Sequence, residues 1–185
     1  MNAKNKTDKL SEMTRHISGS LDFSADAEAG GYEYSTAFLA QKAKQIVGCW
    51  KVVEHSVDDR SWPEAFCAAT LKDIPVSNIN YDAIYDFSPN LCVKKVKLYA
   101  ELNLSGNTSI YEYRMNVALS WELKPGTIQA LPVLGYQYSS IDAKPAAVKD
   151  LPPSAESISL SVRFEDEFMI LEDGPDRKKL KRVNP

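Results

Sequence analysis

From Tyr111 through Tyr113, Met115, Val117, Leu119 and Trp121 to Leu123, every odd position is apolar, and a Pro125-Gly126 turn follows. A period of two marks a strand with one buried face. The same alternation recurs through most of the chain. Ile46 to Ser56 reads as a first strand, broken by Asp58-Asp59-Arg60-Ser61, and Tyr81 to Phe87 reads as another. Ser88-Pro89-Asn90 then turns the chain into Val96, Leu98, Ala100 and Leu102, set against Lys95, Lys97, Tyr99 and Glu101. Ser105-Gly106-Asn107 leads into the Tyr111–Leu123 strand. Lys124-Pro125-Gly126 leads out of it towards Ile128, Ala130, Leu134, Tyr136 and Tyr138, with a bulge or an edge expected at Pro132. Ile158, Leu160, Val162 and Phe164 alternate strictly with Ser157, Ser159, Ser161 and Arg163, and two last strands are expected at Phe168–Leu171 and Arg177–Val183.

Four stretches lack this alternation. Residues 1–35 are polar without sustained periodicity and read as a disordered or extended tail. From Thr36 a short helix is expected, with Phe38, Leu39, Ala43 and Ile46 on one side, plugging one end of the body. Residues 57–80 contain Pro63 and Pro75 and form a long excursion, with a helical turn at Glu64–Leu71, suited to a lid. Residues 143–154 hold Pro145, Pro152 and Pro153 and read as a loop. About eight strands, joined mainly to their neighbours, predict an all-β domain over residues 36–185. The expected form is an eight-stranded antiparallel up-and-down barrel with a short N-terminal helix.

Composition narrows the function classes. At 185 residues and 44% hydrophobic content the chain can bury one core, and a net charge of −3 gives no general attraction to nucleic acid. The basic clusters Lys94-Lys95-Lys97 and Arg177-Lys178-Lys179-Lys181-Arg182 lie in or beside strands, where lysine commonly covers an outer face, so no nucleic-acid partner is expected. No apolar run is long enough to span a membrane, and the first thirty residues lack the apolar core of a secretory signal. Cys49, Cys67 and Cys92 suggest neither a disulfide framework nor paired zinc ligands. A reducing, cytoplasmic compartment is the expectation, although an exported protein trimmed of its leader would read identically.

Gly48-Cys49-Trp50 in the first strand, preceded by a short helix, and Lys181-Arg182 in the last resemble the lipocalin-like (calycin) pattern. The resemblance implies that Gly48 and Trp50 sit at the closed end of the barrel with a basic side chain across the indole. Arg182 is assigned to that role, and Lys181 is the reserve if a bulge exchanges the faces.

Chemistry-bearing residues are few. His55, beside Glu54, Asp58 and Asp59, reads as a solvated histidine at a strand end, and His16 lies in the tail; neither forms a metal site. Haem bound through His55, as in some lipocalin-like barrels, is the minor alternative, and no cofactor is expected. No Gly-x-Ser-x-Gly or cysteine–histidine motif is present, so an enzyme is not expected; a polar cluster at the bottom of the interior would be its sign. The aromatic residues are more telling. Tyr81, Tyr85, Phe87, Tyr111, Tyr113, Trp121, Tyr136 and Tyr138 share inward parity, and buried tyrosine hydroxyls need partners. An apolar pocket with a polar rim would provide them, so the expected function is that of a carrier or sensor holding a small hydrophobic molecule. A filled barrel acting as a protein-interaction module is the alternative.

Overall fold

The alternating segments pair into one closed wall. The computed structural model describes residues 36–183, so the tail at 1–35, His16 and the last two residues lie outside the described residues. The elements run α1 (Thr36–Ile46), β1 (Gly48–Val57), β2 (Arg60–Ser61), α2 (Trp62–Leu71), β3 (Val76–Phe87), β4 (Leu91–Leu104) and β5 (Asn107–Lys124). They continue with β6 (Thr127–Ile141), β7 (Lys144–Leu151), β8 (Ile158–Glu165), β9 (Phe168–Asp173) and β10 (Asp176–Val183). The order β1-β3-β4-β5-β6-β8-β9-β10 closes through β10–β1 pairing, and all pairs are antiparallel. This is the eight-stranded up-and-down barrel that the alternation predicts.

Two strands lie off the barrel wall. β2 pairs only with the end of β1, and β7 pairs only with β6. β7 occupies most of the stretch expected to be a loop. Pro145 is tolerated there because β7 has a single partner, and the ladder is irregular opposite it, between Ser139 and Ser140. The 57–80 excursion is also more ordered than expected: α2 carries Pro63 in its first turn, buries Cys67 and Leu71, and packs on β1, β2 and β3.

Two bulges decide which side chains enter the interior. In β1 the pairing steps from Val52↔Leu180 to Glu54↔Lys179, so Val53 is an extra residue. Trp50 and Val52 face inward before it, and His55 after it. In β6 the pairing steps from Leu119↔Pro132 to Ala118↔Leu134, leaving Val133 over, and the faces exchange beside Pro132 as expected for a bulge. Residues directly opposite share a face. The inner partners of Val117, Met115 and Tyr113 are therefore Gly135, Gln137 and Ser139.

The wall is uneven around its circumference. β5 pairs with β6 along almost its whole length, whereas β8 meets β6 only over Thr127–Ala130 and β1 meets β3 only over Gly48–Lys51. Where β1 and β3 part, α2 fills the gap.

Candidate functional site

At one end, α1 and the first strand meet the last. The Trp50 indole N–H donates to the Ile46 carbonyl at 2.7 Å, tying the strand to the helix that precedes it. The Arg182 guanidinium lies 4.5 Å from the centre of the indole ring and donates to the Val47 carbonyl at 3.0 Å and to the Gln45 carbonyl. Gly48 makes that approach possible. It sits at φ 135°, and a Cβ there would stand 2.8 Å from Arg182 Nη1. Phe164 meets Trp50 edge-on at 5.8 Å, and Phe87 meets Trp121 edge-on at 5.4 Å, while the Trp121 indole donates to the Ser88 carbonyl at 2.9 Å. Gly48, Trp50 and Arg182 thus come together as expected. Lys181 does not join them; it pairs with Glu167 at 2.8 Å.

The other end of the interior is polar. His55, read as solvated, is instead enclosed, with its side chain only 4% exposed, because the Val53 bulge turns it inward. Its Nε2 lies 2.8 Å from Asp176 Oδ1 and its Nδ1 2.8 Å from the Tyr81 hydroxyl. A carboxylate can only accept, so Nε2 carries the proton and Nδ1 accepts from tyrosine. Lys178 donates to the second Asp176 oxygen at 2.6 Å. Burial lowers the His55 pKa against the opposing bond to Asp176, which leaves the ring neutral. Burial alone would raise Asp176; the bonds from His55 and Lys178, with the Lys178 charge, outweigh it and hold the carboxyl down to about 2.

Lys178 and Lys94 correct a second expectation. Both belong to clusters assigned to outer faces, and both point inward. Leu180 and Arg182 are inner-face residues of β10, so period two places Lys178 and Asp176 with them. Val96 and Leu98 are inner-face residues of β4, so Lys94 joins them and lies in one row with Trp50, Tyr85, Val117 and Gly135. Its ammonium sits 5.6 Å from the Tyr85 ring centre. These inferences were available from the sequence, because the same parity that assigns Arg182 and Val96 assigns Lys178 and Lys94.

Above this row, α2 adds an aromatic stack that sequence reasoning missed. Trp62 stacks on His55 at 4.8 Å and on Phe66 at 4.9 Å, and Phe66 lies 4.7 Å from Tyr113. Of the expected aromatic lining, Tyr81, Tyr85, Phe87, Tyr111, Tyr113 and Trp121 are on the inner face, and the Tyr111 hydroxyl bonds Ser139. Tyr136 and Tyr138 are not. The Val133 bulge turns them outward, opposite Asn116 and Arg114, and Tyr136 is 42% exposed with its hydroxyl bonded by Asn116.

No family model, no curated protein and no solved structure matches the chain. Among the described residues no group of His, Cys, Asp and Glu could hold a metal ion, and no helix is long and apolar enough to cross a membrane.

Proposed function

We propose that this chain is a lipocalin-like binding protein that holds a small hydrophobic molecule inside its barrel, as a carrier or sensor. The observation that carries this reading is retained accessibility on the inner face. Met115 and Val117 lie on a strand paired on both sides, yet they are half-buried, while Leu98, Leu102 and Ile128 on the same face are sealed. Lys94 behaves alike: protein atoms surround it on nearly every side, yet part of its surface stays accessible. Both hold together when the accessible part faces a space within the wall. The closure by Gly48, Trp50 and Arg182 supports the lipocalin-like assignment.

A filled interaction module would give Val117 no reason to keep solvent contact. The His55–Asp176 pair favours a second reading, an enzyme with a histidine base. Both ring nitrogens are already bonded within the protein, which supports binding over catalysis.

Uptake of the neutral fluorophore Nile red tests the reading. Wild type should bind it. Val117→Trp, which fills the space, and Tyr113→Ala, which unseats Phe66, should each weaken uptake about tenfold with unchanged far-UV circular dichroism. Equal uptake by all three proteins, or none by wild type, would remove the pocket.

A further inference from the structure

Inside the barrel, two ammonium groups face one carboxylate. Both oxygens of Asp176 are engaged, one by Lys178 and the other by neutral His55. Among the described residues no carboxylate lies within ion-pair distance of Lys94, whose ammonium instead sits over the face of Tyr85. The remaining titratable neighbours supply no anion. Burial raises the Tyr81 and Tyr85 phenols and pushes the Cys92 thiol up to about 12, so all three stay neutral at physiological pH. The interior therefore carries one positive charge more than it balances. A buried ammonium without a counter-ion is costly, and it is relieved either by losing its proton or by receiving an anion.

We infer that the molecule held in the barrel carries a single carboxylate head group, received by the Lys94 ammonium beside Tyr85, with its apolar body along Met115 and Val117. The inference rests on the pocket reading above and adds the chemistry of its ligand. One surplus charge matches one carboxylate. A phosphate dianion would leave a second negative charge uncompensated among apolar walls. Burial lowers the Lys94 pKa, partly opposed by Asp176, and a bound carboxylate would act in the same sense as Asp176, favouring the ammonium.

Calorimetric titration of the whole chain with decanoate, decanol and decylamine at neutral pH separates this inference from the one beneath it. Decanoate should bind wild type at least about tenfold more tightly than decanol, with decylamine weakest. Lys94→Met should bind decanoate no better than decanol and melt no lower than wild type, since it removes a buried charge. Lys94→Arg should retain part of the preference. Decanol binding without a preference for decanoate, or a preference that survives in Lys94→Met, overturns the head group and leaves the pocket standing. If none of the three ligands binds wild type, both readings fall.

Discussion

The two ends of the barrel use cations in opposite ways. At the α1 end, Arg182 lies at the rim, its charge spread over the Trp50 ring and two of its donors answered by backbone carbonyls. The charge meets oxygen and an aromatic face there, so a cation strengthens the closure. Towards α2, Lys94 and Lys178 project into the interior, where one carboxylate serves a lysine and a histidine. The same residue class is structural where its donors meet oxygen and unresolved where they do not. The difference lies in the count of acceptors, since both ends are walled by aromatic side chains.

Removing the acceptor from the polar end should break the contrast most sharply. Asp176→Ala leaves Lys178, whose side chain is 6% exposed, without its partner. A loss of about 3 kcal/mol is expected in urea unfolding; a loss near zero would mean that the ion pair is not buried in solution. Arg182→Ala should cost less, about 1 to 2 kcal/mol, through the indole contact and the two carbonyl bonds. An unchanged melting midpoint would dismiss the closure. The smallest effect is on pH. The folded-state pKa of His55 lies below its ordinary 6.5, so the unfolded chain takes up more protons, and stability should fall as pH drops below about 6.5. Asp176 adds a second fall between its ordinary 3.8 and about 2, for the same reason. Subtracting the unfolding profile of Asp176→Ala from that of wild type isolates this lower step; identical profiles would contradict the pairing.

The wall of the barrel was readable because Tyr111 to Leu123 alternates without interruption and turn residues mark most hairpins. Gly48, Trp50 and Arg182 were readable because a short spacing and a terminal basic pair carry their geometry. What alternation could not reveal is a single added residue. Val53 is an ordinary strand former with no local mark of a bulge, whereas Pro132 marked one beside Val133 without saying which side chains would change faces. Past Val53 the histidine turns inward; past Val133 two tyrosines turn out. Lys94 and Lys178 were hidden differently. Their parity was legible, and the usual preference of lysine for solvent overrode it.

The short ladder between β6 and β8 has a mechanical meaning. From Gly135 on, β6 pairs with β7, a ribbon outside the cylinder, so the hoop is fastened there by Thr127–Ala130 against Ile158–Ser161 and by the Val162 and Ser154 N–H groups on the Gly126 and Pro132 carbonyls. A ring breathes at its short clasps, because the work of parting two strands grows with the number of bonds that must yield together.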